Sequence, residues 1–168
     1  MTENSTYLAL YPDGKHEEIT LGNLLNKGGA AGKIFEVIGS PNIPTISNEG
    51  TEYIQIAWPI ALLEDKQGYC MGYLMPLIDT QKAVSLDHLI QKAVRRKLGL
   101  SERYIDRIFA AYNITSVVAA LHACGHYIID LKPTNVSIYK KTMLVAMFDC
   151  DGFSIKGEND SRYPAEYV

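Results

Sequence analysis

The six residues Asp130-Leu131-Lys132-Pro133-Thr134-Asn135 constrain this chain more than any other stretch. They set an acid, a base and an amide at spacings of two and three. Pro133 fixes its own φ and pushes Lys132 out of helical geometry, so the turn is rigid. The β-branched and apolar runs at 136–139 and 142–148 flank Lys140-Lys141, the pattern of a tight hairpin. Such a hairpin returns Asp149 towards Asp130 and Asn135. Two carboxylates and an amide then converge at one end of a small sheet. Mg²⁺ takes a few protein oxygens together with phosphate oxygens, and this set offers them.

A long helix leads into this loop. Ser101 reads as its N-cap, with Glu102 in the first turn. Ile105, Ile108, Phe109, Tyr112, Ser116, Ala119 and Ala120 recur at helical spacing, and Gly125 stops the helix. An earlier helix starts at the N-cap Ser85, with Asp87 in its first turn. Its apolar stripe is Leu86, Leu89, Ile90, Ala93 and Val94, and it ends at Gly99. Arg95-Arg96-Lys97 falls at its C-terminal end, where cations complement the helix dipole. His122, Cys124 and His126 straddle a helix stop and have no second Cys/His pair, so they read as a packed helix end, not as a zinc site. The acidic run from Asp149 is not a calcium loop, because Ser154 stands where the turn glycine is required.

The first half of the chain reads as β structure. Residues 7–11 and 18–21 flank Pro12-Asp13-Gly14, a hairpin turn. Residues 33–38 read as a strand after the glycine-rich Gly28-Gly29-Ala30-Ala31-Gly32. Strand, glycine turn and strand together suit a flap over phosphate, since glycine lets backbone N–H groups come close. Residues 39–50 (GSPNIPTISNEG) read as a loop, and residues 53–58 (YIQIAW) as a strand stopped by Pro59. Leu62-Leu63 and residues 69–74 flank the polar turn Glu64-Asp65-Lys66-Gln67-Gly68, a further hairpin.

Composition excludes several classes. With 16 Lys and Arg against 19 Asp and Glu, the formal charge is −3, so no global basic field recruits nucleic acid or anionic membrane. Three widely spaced cysteines, Cys70, Cys124 and Cys150, make no disulfide framework, which fits a reducing cytoplasm. No long apolar run predicts a membrane span, and the polar N-terminus lacks a signal-peptide pattern.

The stretch from 130 to 149 resembles the catalytic loop and metal-binding segment of protein kinases, H-R-D-L-x-x-x-N followed by D-F-G. Asp130-Leu131-Lys132-Pro133 matches the Ser/Thr-type loop, Asn135 fits its Asn, and Asp149 falls where the D of D-F-G belongs. The resemblance implies that Asp130 accepts the proton of the substrate hydroxyl and Lys132 steadies the transferred phosphoryl group. Asn135 and Asp149 would hold Mg²⁺. It further implies that Gly29, Gly32 and Ile34 form the flap over ATP, in the positions of the last two glycines and the Val of G-x-G-x-x-G-x-V. Lys27 stands at the first glycine. Met75 and Leu77 would contact the adenine edge, or else mark an ordinary strand end. Departures accompany the match. Ile128-Ile129 replace His-Arg, which implies a site not governed by activation-segment phosphorylation. Cys150-Asp151 replace Phe-Gly. Asp151 reads better as a cap of the turn before Gly152 than as a further metal ligand. No lysine occurs between Lys33 and Lys66, where the family carries its ATP-contacting Lys.

The resulting expectation is an α+β, protein-kinase-like fold, one domain over residues 1–168. Residues 5–75 would form a β-rich lobe, 76–84 a linker, and 85–168 the start of a helical lobe. The family's fold needs well over 168 residues, so much of the second lobe would lie outside this chain. The implied function is ATP- and Mg²⁺-dependent phosphoryl transfer to Ser or Thr of a protein substrate in the cytoplasm. The likeness is to divergent bacterial relatives of the eukaryotic Ser/Thr kinases, which act in signalling sets with a phosphatase, so a cognate phosphatase is a further expected partner. Neither nucleic acid nor membrane is expected. Two other readings follow from the same residues: a pseudokinase that binds nucleotide or a partner without transfer, and a small-molecule kinase of the aminoglycoside type, against which Lys132-Pro133 argues.

Overall fold

Pro12-Asp13-Gly14 closes a hairpin because each residue of the turn has a physical task. Asp13 accepts the Lys15 N–H at 3.0 Å, Tyr11 N–H donates to Lys15 O at 2.9 Å, and Gly14 takes φ +84°. The computed structural model that shows this describes residues 1–26, 32–38, 53–150 and 153–155. It has two units, Met1–Ile46 with Trp58–Pro76, and Ser47–Ala57 with Leu77–Val168. The fold class is α+β, a mixture of antiparallel sheets and few helices.

The first unit is one antiparallel sheet. Its strands are β1 (Thr6–Leu10), β2 (His16–Leu24), β3 (Phe35–Ile38), β4 (Ala61–Glu64) and β5 (Cys70–Leu74), in the order β3-β2-β1-β4-β5. The β4–β5 turn is closed by Asp65, whose carboxylate accepts from the N–H groups of Gln67 and Tyr69, with Gly68 at φ +81°. One face of the sheet buries Ala9, Ile19, Leu21, Ala61, Leu63 and Leu74.

The second unit joins a small sheet to helices. Strand β6 (Ala83–Ser85) pairs with β8 (Val136–Tyr139), which pairs with β9 (Val145–Met147). A two-stranded ribbon pairs β7 (Tyr127–Ile128) with β10 (Phe153–Ser154). The helices are α1 (Leu86–Ile90), α2 (Lys92–Lys97) and α3 (Tyr104–Ala123). Leu89, Ala110, Val117 and Leu121 pack with Val136, Ile138, Met143, Val145 and Met147 as its core. Asn113 on α3 donates to Met143 O at 2.8 Å and so pins the β8–β9 turn, where Met143 sits at φ +58°.

Four expectations need correction. The run 53–58 is not a strand of the first sheet. Residues 53–57 are an extended segment of the second unit, joined to β9 by a single parallel bridge, with Met147 N–H donating to Gln55 O and Ala57 N–H to Met147 O, and Trp58 belongs to the first unit. Tyr139 Oη anchors it by bonding both Ile54 N–H and Ile54 O, and burial pushes that phenol's pKa up. The helix expected from Ser85 to Gly99 is broken at Gln91, whose ψ is +113°. The break leaves carbonyls of α1 without helical partners. The buried Arg95 supplies them, donating to Leu89 O and Ile90 O at 2.7 Å each. The cluster Arg95-Arg96-Lys97 thus does more than balance a dipole, since Arg95 and Arg96 also pair with Glu102 at 3.2 and 3.0 Å. Ser101 is not the N-cap of α3, a position held by Arg103; Ser101 Oγ accepts from Arg103 N–H and bonds the buried Asp106 carboxylate. Hydrogen bonds from Arg103 and Ser101 hold the Asp106 carboxyl below the usual carboxylate range. Lastly, Ile105, Ile108, Phe109, Tyr112, Ser116, Ala119 and Ala120 are exposed on α3, whereas Asp106, Ala110, Val117 and Leu121 are its buried residues.

Candidate functional site

Three local features build the loop that follows β7. Lys132, preceding proline, is extended (φ −134°, ψ 155°). Pro133 opens a 3₁₀ turn (Pro133–Asn135), a position that loses nothing by lacking an N–H. Asn135 N–H closes the turn on Lys132 O at 2.9 Å. Ser85 fastens the turn from outside: its Oγ donates to Pro133 O at 3.2 Å and accepts the Asp87 N–H at the start of α1.

The sheet then brings Asp149 to the loop. Val136 pairs with Met147, and Phe148 N–H donates to Asn135 O at 3.1 Å. On the other side, Ile128 pairs with Phe153, so the chain before Asp130 and the chain after Asp149 run side by side. Asp149 itself takes φ +64°, a left-handed conformation uncommon outside glycine and tolerated by Asp. Non-glycine residues held there are enriched at functional sites.

The side chains meet as follows. Asn135 is buried, and its Nδ2 donates to Asp149 Oδ2 at 3.1 Å, to Asp130 O at 3.2 Å and, at the long limit, to Asp130 Oδ2 at 3.4 Å. Lys132 Nζ pairs with Asp130 Oδ2. The structure therefore brings Asp130, Lys132, Asn135 and Asp149 together. A shallow crevice beside them is lined by Ile128, Asp130, Leu131, Asn135, Met147 and Phe153. The Lys132–Asp130 pair is about half exposed on both partners, and such pairs contribute only ~0–1 kcal/mol. Backbone bonds, not this ion pair, hold the geometry.

The donor set suits a hard cation. Two carboxylates reach one amide group, and an oxygen-rich site of this size matches Mg²⁺, which keeps several waters of its own. Turning the Asn135 amide would present its carbonyl oxygen where Nδ2 now points. Among the described residues no three His, Cys, Asp or Glu side chains cluster as a metal group, so the amide is part of any such site here.

The remaining expected residues lie elsewhere. Gly29 falls outside the described residues, as do Lys27, Gly28, Asp151, Gly152 and the loop 39–50. Gly32 has φ +136°, a backbone that only glycine takes up readily. Ile34 is partly exposed just before β3, where its N–H donates to Asn26 Oδ1 at 2.9 Å and its carbonyl accepts from Leu25 N–H. Met75 directly follows β5 in the first unit, whereas Leu77 belongs to the second unit and is exposed. Sequence reasoning missed the β7–β10 ribbon and the Ser85 clamp. The β-branched run Tyr127-Ile128-Ile129 was the available signal for the ribbon. Nothing in the sequence marked Ser85 as more than a helix cap.

No family model matches this chain, and no curated protein matches it. Among the described residues no helix is long and apolar enough to cross a membrane.

Proposed function

We propose that the chain is a protein-kinase-like phosphotransferase, moving the terminal phosphoryl group of ATP to a Ser or Thr hydroxyl of a protein. The observation that carries this reading is the single Asn135 amide between the carboxylates of Asp130 and Asp149, with Lys132 on Asp130. In it, Asp130 takes the hydroxyl proton of the substrate. Lys132 leaves Asp130 to meet the charge that develops on the transferred group. Asn135 and Asp149 hold Mg²⁺, which when bound neutralises phosphate charge. Asp149 in its left-handed backbone directs its carboxylate to the same side as Asn135. The kinase-like fold, with the glycine turn at Gly32 as part of the ATP flap, belongs to this proposal.

A second reading, a nucleotide-binding module without transfer, is favoured by one observation. No lysine lies between Lys33 and Lys66 to meet the ATP phosphates. Labelled-ATP transfer, to the chain itself or to a generic protein acceptor, decides between the two. Magnesium-dependent transfer supports the first. Magnesium-dependent ATP binding without transfer selects the second, and no ATP binding at all discards both.

A further inference from the structure

Four consecutive residues of the Asp130–Asn135 loop, Leu131, Lys132, Pro133 and Thr134, are exposed. Such a stretch has little packing to fix it, whereas chemistry needs its groups held to within about 0.5 Å. The two ends of the loop are secured. Ile128 pairs with Phe153 before it, and Val136 pairs with Met147 after it. Asn135 is buried, its N–H donates to Lys132 O, and its carbonyl accepts from Phe148 N–H. The exposed middle is reached from outside by Ser85, whose Oγ donates to Pro133 O at 3.2 Å.

Ser85 is itself firmly held. It ends β6, whose register with β8 sets Ala83 on Tyr139, Val84 on Ile138 and Ser85 on Ser137. Ala83, Ile138 and Tyr139 are buried, so packing fixes the strand that carries Ser85. Ser85 also starts α1, where the same Oγ accepts the Asp87 N–H at 3.3 Å. A hydroxyl has one proton to donate and two lone pairs to accept with, so the two bonds do not compete. An N-cap needs only the acceptor. Donation to Pro133 O is a second task. We propose, on the phosphotransferase reading above, that Ser85 is a positioning residue for transfer. It holds the Lys132-Pro133 turn so that Asp130 and Lys132 meet the substrate in register with Asn135. The metal end of the site does not depend on Ser85, because Asn135 is secured through Phe148 and Asp149 follows β9. Loss of the Pro133 bond therefore acts on kcat and spares the affinity for magnesium-ATP.

Three substitutions in the full chain separate this role from helix capping. Ser85→Thr keeps both the acceptor and the donor. Ser85→Asp keeps the acceptor, and Asp is among the best N-caps, but its carboxylate has no proton for Pro133 O. Ser85→Ala loses both. In transfer from labelled ATP, kcat should fall roughly tenfold in Ser85→Ala and Ser85→Asp alike, and stay near the parent value in Ser85→Thr. Magnesium-dependent ATP affinity, read by thermal shift, should hold in all three. A capping role alone predicts a different order, with rates that follow stability and Ser85→Asp at the parent rate. Circular dichroism checks that each variant is folded. If Ser85→Asp does not fold, the other two decide, since a folded Ser85→Ala at the parent rate overturns the role equally. So does Ser85→Thr no faster than Ser85→Ala, or an ATP affinity that falls in step with the rate. A parent that transfers nothing ends the phosphotransferase reading and this role with it. A parent that transfers, with Ser85→Asp or Ser85→Ala at its rate, ends the role of Ser85 alone.

Discussion

Asn135 and Asn26 are the same residue put to opposite uses. Asn135 sits in a backbone that is already satisfied: its N–H closes the 3₁₀ turn on Lys132 O, and its carbonyl accepts from Phe148. Its side chain is therefore left for the carboxylates of Asp130 and Asp149. Asn26 follows β2, next to the backbone bond from Leu25 N–H to Ile34 O. Its Nδ2 donates to Gly32 O and its Oδ1 accepts from Ile34 N–H, both at 2.9 Å. One amide joins two carboxylates and the other joins Gly32 to Ile34. The difference lies in what each side chain meets, not in the residue type.

The largest effect expected on the chemical side of this comparison is at Asp130. Asp130→Asn keeps size and most hydrogen bonding but removes the base, so phosphoryl transfer should fall about 10²–10⁴-fold. ATP affinity, read by thermal shift, should stay at the parent value. Transfer at the parent rate in this variant would remove the role assigned to Asp130. Next comes Asp149→Asn, which takes away a metal-binding carboxylate. Magnesium-dependent ATP affinity should weaken by about 10–100-fold, the range seen when metal sites lose supporting groups. An equal ATP-induced shift with and without Mg²⁺ in the parent chain would count against Asn135 and Asp149 as metal-binding residues.

These two regions also differ in how far they could be read from sequence. Pro133 and the hairpin runs on either side of Lys140-Lys141 dictate local geometry by themselves, so the meeting of Asp130, Asn135 and Asp149 was legible. The hairpins at Pro12-Asp13-Gly14 and Glu64–Gly68 were legible for the same reason: turn chemistry acts over a few residues. Pattern failed where the outcome depended on distant partners. Residues 53–58 alternate like a strand, but which sheet they join is settled by Tyr139 and Met147, some ninety positions away in sequence. The break at Gln91 depends on Arg95 reaching back to two carbonyls, which no periodicity reveals. In α3 both faces are apolar, so helical spacing alone could not tell the inner one from the outer.

On the structural side, Gly32 comes first. Its φ of +136° disfavours any side chain, although a Cβ there would meet nothing within 4 Å. Gly32→Ala should therefore cost about 1–3 kcal/mol through backbone strain alone, without a clash. Gly32→Val should cost at least as much and, under the proposed flap role, also weaken ATP binding. Unchanged nucleotide affinity in a folded Gly32→Val would remove Gly32 from the flap while leaving the strain argument intact. Urea denaturation of the alanine variant isolates the strain.

The smallest effect, and the sharpest test of the comparison, is at Asn26. Asn26→Ala removes two hydrogen bonds, to Gly32 O and from Ile34 N–H. Both are solvent-exposed, so water replaces them in part, and the net loss should be near the low end for such bonds, about 1 kcal/mol in all. In a domain of this length that corresponds to roughly 2–4 °C in Tm. The difference between ATP-induced shifts with and without Mg²⁺ should be untouched, because the Asn26 amide is engaged with the backbone of Gly32 and Ile34. Asn135→Ala should do the reverse to that readout, since it takes away the amide that both carboxylates share. Its own stability loss does not bear on the contrast; the magnesium dependence does. If Asn26→Ala abolishes the magnesium dependence, or Asn135→Ala leaves it whole, then the two amides are not divided between structure and chemistry in the way their hydrogen bonds indicate.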